Sequence, residues 1–338
     1  MKKKPEVVVI TGASAGVGRA TAHRFARDGA RIALLARGSD GLDVAAEEVR
    51  KLGGEALAIA VDVADADAVE AAAERIEQEL GPIDIWINDA MATIFAPVHE
   101  ISAAEFRRAT EVTYLGTVHG TMAALKRMRA RDRGIIVQVG SALAYRAIPL
   151  QAPYCGAKFA VRGFTDALRV ELMHEKSRIH VTMVQLSAFN TPQFQWGRTK
   201  LPRRPQPVPP VFQPKVAARG IHWAAHHRRR ELRVGFPAVK AIVGNKLFPR
   251  LADRDLAKLG YEGQMGGQPV PEDRPDNLFE PVIADYGTHG RFDARSRAYS
   301  LQLWATTHRS LVLAGALAAG ALLWAASRGT RTAARRLG

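Results

Sequence analysis

The chain has one cysteine in 338 residues, which excludes an internal disulfide. Cys155 reads as a small packed residue rather than a redox centre. No spacing of His, Cys or carboxylates suggests a metal, so none is expected. No secretory segment is expected, because Met1-Lys2-Lys3-Lys4-Pro5 leads straight into a strand. Acids are scarce: 33 Asp and Glu face 48 Lys and Arg, a formal net charge of +15. That balance suits an anionic partner, either nucleic acid or lipid headgroups, or a solvated basic face. No recognition motif for nucleic acid accompanies it, so nucleic acid is not expected. What the chain does have is 47% hydrophobic residues, ample for a buried core.

Strand and helix alternate over the first 186 residues. Strands are expected at 7–11, 31–36, 56–61, 84–88, 134–140 and 180–186, with a seventh at 231–234. Helices are expected at 17–27, 42–52, 66–80, 103–130, 153–175 and 215–228. This alternation predicts an α/β fold: a doubly wound parallel sheet of about seven strands covered on both faces.

Two motifs carry chemistry. The apolar, β-branched run Val7-Val8-Val9-Ile10-Thr11 is followed by Gly12-Ala13-Ser14-Ala15-Gly16-Val17-Gly18, and a helical pattern then begins. Glycines let backbone approach a pyrophosphate, and a helix N-terminus offers it N–H groups. Further on, Tyr154 and Lys158 stand four residues apart, one helical turn, with Ser141 thirteen residues upstream of the tyrosine. The ammonium is expected to pull the phenol below its ordinary pKa of about 10 and equip it for proton transfer at a carbonyl or alcohol oxygen.

Together these residues resemble the short-chain dehydrogenase/reductase family over roughly residues 5–235. Its glycine loop matches Thr11, Gly12, Gly16 and Gly18, with Ser14, Ala15 and Val17 between them. Its Ser, Tyr and Lys match Ser141, Tyr154 and Lys158. The resemblance implies a Rossmann fold, a nicotinamide cofactor, and carbonyl–alcohol interconversion with Tyr154 as acid/base. It also implies that Asp62 and Val63 lie at the adenine, although Asp62 equally suits a helix cap. Asn88 is implied to position the cofactor, and Thr191 to bond the nicotinamide amide. Where the family's NAD users carry an acid, this chain has Ala36 followed by Arg37. A guanidinium suits a 2′-phosphate, so NADP(H) is expected. Family members are often dimers or tetramers, so a homodimer or tetramer is expected.

Three positions depart from the family pattern. Its Asn-Asn-Ala-Gly is Asn88-Asp89-Ala90-Met91 here, its catalytic asparagine falls on Thr113, and its Pro-Gly is Leu186-Ser187. Thr113 is expected to hold a water and continue the proton path. The departures also leave open a non-catalytic, NADP(H)-binding scaffold or redox sensor.

The catalytic domain is expected at 1–235, with a proline-rich lid at 187–214. Phe189, Phe194, Trp196 and Phe212 flank its proline run at 201–210 and suit either an apolar pocket or plain packing. Residues 236–305 carry no readable motif, and His289 there reads as a turn histidine bonded to backbone. Within the last segment, 306–338, residues 311–326 hold sixteen residues without a charge, about 27 Å of helix when flanking serines are added. This predicts a membrane-inserted helix, with a buried helix at an oligomer interface as the alternative. The expected protein is therefore membrane-associated, with its catalytic domain in the cytoplasm and a lipophilic small-molecule substrate.

Overall fold

A computed structural model describes residues 4–334, apart from the side chains of 321–323 and 325–334. Seven parallel strands form the central sheet: β1 (Val7–Thr11), β2 (Arg31–Ala36), β3 (Glu55–Ala60), β4 (Ile85–Asn88), β5 (Ile135–Ser141), β6 (His180–Leu186) and β7 (Glu231–Val234). Their spatial order is β7-β6-β5-β4-β1-β2-β3. Every residue of β1 is buried, as its unalternating Val/Ile run requires of a strand covered on both faces. Two apolar cores result, one on each face of the sheet.

The helices α1 (Gly16–Ala26), α2 (Ser39–Lys51) and α3 (Ala66–Glu79) alternate with the first strands. The long helix expected at 103–130 is interrupted. It forms α4 (Ala103–Thr110) and α5 (Gly116–Arg131), joined by a π-helical turn at Glu111–Leu115. A capping box between Ser102 and Glu105 starts α4. The remaining sheet helices are α6 (Ala152–His174) and α7 (Pro214–Ala225). Strand order reverses between β1 and β4, so the carboxyl ends of these strands open a crevice, the usual ligand position in such a sheet.

Residues 236–305 pack onto the sheet domain rather than standing apart from it. Helices α8 (Phe236–Leu247) and α9 (Pro249–Leu259) form a hairpin after β7. Met265–Pro269 pairs antiparallel with Arg203–Pro205 of the lid, so the extension holds the lid by a strand. Phe194 packs on Phe95 and Phe292, both at 5.7 Å between ring centres, joining lid, sheet domain and extension in a third small core. Phe212 lies in the main core, 6.0 Å from Phe189.

Helix α10 (Leu301–Thr307) precedes α11 (Arg309–Ala334). Among the described residues no helix is long and apolar enough to cross a membrane. The membrane-inserted helix expected at 311–326 is therefore unsupported. Within it the side chains of 321–323, 325 and 326 lie outside the described residues, as do those of the arginines that follow.

Candidate functional site

A cavity of about 520 Å³ opens at the carboxyl ends of the strands. Two close approaches shape its floor. A Cβ on Gly12 would lie 2.9 Å from the Ala90 Cα, and one on Gly18 would lie 2.3 Å from the Gly12 carbonyl oxygen. Gly12 also has φ +72°. No other residue type lets β1, its turn and α1 pack this closely. Gly12, Ser14, Ala15, Gly16 and Val17 line the cavity, with Gly18 just behind them. Ala15 caps α1 without a side-chain hydrogen bond, so the helix meets the cavity through its backbone. Arg37, Asp62, Val63 and Thr191 line the same cavity, as do Ser141, Tyr154 and Lys158. The expected residues of both motifs thus converge on one space.

Asn88 and Thr113 do not reach it. The Asn88 amide donates to Thr121 Oγ1 (3.1 Å) and Gln138 Oε1 (2.9 Å), and its oxygen accepts from Trp86 Nε1 (2.9 Å). It organises the sheet behind the cavity. Thr113 is fully buried; its hydroxyl accepts from the Ala92 N–H (2.9 Å) and donates to the Ala92 carbonyl (3.0 Å). These two bonds anchor the π-turn to the loop after β4. Phe189, Phe194 and Trp196 line the cavity, whereas Phe212 does not.

Tyr154 departs from expectation in its electrostatics. The Lys158 ammonium sits 5.6 Å from the centre of the tyrosine ring and donates to the Val139 carbonyl at 2.6 Å. Burial pushes the phenol well above its ordinary range. A hydrogen bond with Ser141 opposes this, while the neighbouring Cys155 and Asp89 reinforce it. The phenol is therefore protonated at neutral pH.

Asp89 adds a second titratable group. Burial raises its carboxyl pKa, against the opposing pull of the Lys158 charge and the Gly18 N–H. Burial lowers Lys158, and Asp89 pulls it back up. Replacing Asp89 with Asn should move the alkaline limb of the pH–rate profile to lower pH, because the lysine loses the charge that favours its ammonium. Below the carboxyl's raised pKa both proteins carry the same charge there, and their rates should converge. Superimposable profiles at every pH would reduce Asp89 to a packing role.

One further element covers the cavity. Residues 276–290 cross it as a strap. Asp276 pairs with Arg198, and the carbonyls of Asn277, Leu278 and Phe279 accept from the Arg37 guanidinium. Leu278 is fully buried in one of the sheet cores. Asp285 pairs with Arg19, which also holds Glu48 at 2.7 Å, and Gly287 accepts from the Gly16 N–H at 3.0 Å. Burial, then the nearby Arg108 charge, lower Arg37, while Asp62, Glu280 and Asp276 oppose this. Among the described residues no carboxylate lies within ion-pair distance of Arg37. Asp62 is paired with Arg108 and accepts from the Ala64 N–H at 3.0 Å, whereas Asp65 caps α3. His289 bonds the Asp293 carboxylate at 3.0 Å rather than backbone.

The fold and cavity define a dinucleotide-type α/β domain carrying a Ser–Tyr–Lys cluster. The chain belongs to the short-chain dehydrogenase family, whose profile matches residues 6–200, and it is an oxidoreductase of that family. It is 30% identical over 332 residues to the uncharacterized oxidoreductase YxnA of Bacillus subtilis, covering 98% of this chain and 92% of that one. It is 32% identical over 216 residues to the rat 17-beta-hydroxysteroid dehydrogenase 13, covering 64% and 70%. Among solved structures it resembles an alcohol dehydrogenase from the archaeon Thermococcus sibiricus complexed with 5-hydroxy-NADP. That likeness has a TM-score of 0.60 at 26% identity and covers 68% of this chain and 96% of that chain.

Proposed function

We propose that this enzyme reduces a carbonyl on a lipophilic substrate to an alcohol with NADPH, and catalyses the reverse reaction at higher pH. The observation that carries this reading is the convergence of Ser141, Tyr154 and Lys158 on the cavity that the glycine turn also lines. The residues present fit a dinucleotide phosphate. Backbone free of Cβ borders the turn, α1 starts there with no side-chain cap although its Gly16 N–H already meets the Gly287 carbonyl, and Arg37 stands at the end of β2 with strap carbonyls but no carboxylate as partners among the described residues. The cofactor, when bound, supplies the hydride.

The remaining work falls to side chains. Tyr154 donates its phenolic proton to the substrate oxygen, a role that its raised pKa suits at neutral pH. Ser141 orients that oxygen by a hydrogen bond. Lys158 holds the ribose and, with Asp89, returns a proton to the tyrosine. Arg37 holds the 2′-phosphate, Asp62 and Val63 border the adenine, and Thr191 bonds the nicotinamide amide. Phe189, Phe194 and Trp196 give the substrate an apolar wall, in keeping with the steroid-dehydrogenase name of one relative. Exposed Met122, Phe159, Val170 and Met173 on α5 and α6 support assembly into a dimer or tetramer. The test is NADPH consumption by the purified full chain against long-chain and ring ketones. Turnover on a member of the panel is expected, and NADPH binding with no turnover across it would count against the reading.

The strap predicts slow exchange. Replacing Asp285 with Ala removes its ion pair with Arg19 and should speed release of NADPH and NADH alike by about tenfold, the equivalent of about 1.4 kcal/mol. Stopped-flow fluorescence measures this, and unchanged release rates would show that the strap does not restrain the nucleotide.

A further inference from the structure

The α8–α9 hairpin has two unlike sides. Its inner side walls the cavity through Pro237, Ala238, Ala241, Leu256 and Leu259. Its tip turns apolar side chains outward: Leu247 is 61% exposed, Phe248 60% and Leu251 55%. The exposed cations Lys246, Arg250 and Arg254 flank this tip, and Lys240 and Lys258 lie further back on the same two helices, none in an ion pair among the described residues. The hairpin's acids are Asp253, which Arg146 holds at 2.6 Å, and Asp255. The base of the hairpin continues the surface: the Gly235 N–H donates to Gln302 Oε1 at 2.8 Å, and exposed Leu301 and Trp304 belong to the same short helix, α10.

An apolar tip flanked by unpaired cations, with two more along the same helices, matches an anionic bilayer, where the side chains enter the headgroup boundary and the cations meet phosphates. A second copy of the chain matches it poorly. A two-fold interface sets a patch against itself and would bring Lys246, Arg250 and Arg254 of one copy against those of the other. We propose that the α8–α9 hairpin docks the enzyme on an anionic lipid surface and admits a lipid-borne carbonyl substrate to the cavity it walls. The docking half stands on the hairpin alone, and the substrate half rests on the carbonyl-reductase reading above. No helix needs to cross the bilayer for this.

The experiment compares the full chain with a Phe248→Glu, Leu251→Glu double variant. Both positions are exposed and lie outside the cavity wall, so folding and cofactor affinity should be kept. Flotation is measured with vesicles of phosphatidylcholine alone and of phosphatidylcholine mixed with phosphatidylglycerol. The full chain should bind the mixed vesicles, more weakly as salt rises, and the variant should bind them at least about tenfold more weakly. With a long-chain ketone delivered in mixed vesicles, the variant's KM should rise by a similar factor, while kcat/KM for a short water-soluble ketone stays unchanged. Equal binding by the two proteins, or no binding by either, would overturn the docking. Light scattering that shows a dimer dissolved by the double variant would overturn it too, by making the hairpin a subunit contact. Absence of turnover on any ketone would remove the carbonyl-reductase reading and the substrate half with it, leaving flotation to decide the docking.

Discussion

Replacing Tyr154 with Phe should lower kcat/KM for carbonyl reduction by about 10²- to 10⁴-fold, the usual range for a positioned general acid. The substitution keeps the ring and removes only the hydroxyl, so the packing around Lys158 survives and NADPH affinity should change little. The raised pKa of the phenol gives the pH dependence a sign. In the reducing direction the protonated form acts, so the wild-type rate should hold through neutral pH and fall only on the alkaline side. Oxidation of the alcohol should rise with pH. Near-normal turnover by the Phe variant would mean that another group supplies the proton.

Replacing Arg37 with Ala should weaken NADPH by about 10- to 100-fold relative to NADH, since a charge-assisted hydrogen bond contributes about 1.5–3 kcal/mol. Arg37 also holds three carbonyls of the strap, so part of the loss should fall on both nucleotides. The Asp285→Ala protein separates the two effects, because it loosens the strap while leaving Arg37 in place. Titration of each variant with both nucleotides is the measurement. Equal losses of NADPH and NADH in the Arg37 variant would remove the 2′-phosphate assignment.

The sheet was legible because its signals are local. Strand 7–11 is apolar without alternation, glycines follow it at once, and later strands recur between helical patterns. The cluster of Ser141, Tyr154 and Lys158 was legible for the same reason, since four residues on a helix and a strand end before it leave little freedom. What sequence could not show is where a side chain turns. Asn88 and Thr113 stand at family positions, yet their polar atoms are satisfied by Gln138, Thr121 and Ala92 away from the cavity. The electrostatics of Tyr154 are not local: helical spacing places the ammonium near the ring but does not give the burial that raises the phenol. Arg19 and Arg108 went unread because their partners, Asp285 and Asp62, lie 266 and 46 residues away. The strap and the hairpin were hidden likewise: residues 236–305 carry no motif, and their meaning lies in what they pack against. In the tail, much of the apolar run 311–326 lies outside the residues whose side chains are described, and among the described residues no helix is long and apolar enough to cross a membrane.

The most direct test of the account follows the hydride. Full-length enzyme is incubated with a long-chain ketone and NADPH carrying deuterium at both C4 positions of the nicotinamide, and the products are weighed by mass spectrometry. The account predicts an alcohol carrying one deuterium on the former carbonyl carbon, formed by the wild-type protein and not by the Tyr154→Phe variant. Tight NADPH binding with no deuterium in any product would contradict it, and would favour a protein that senses the nucleotide without using it.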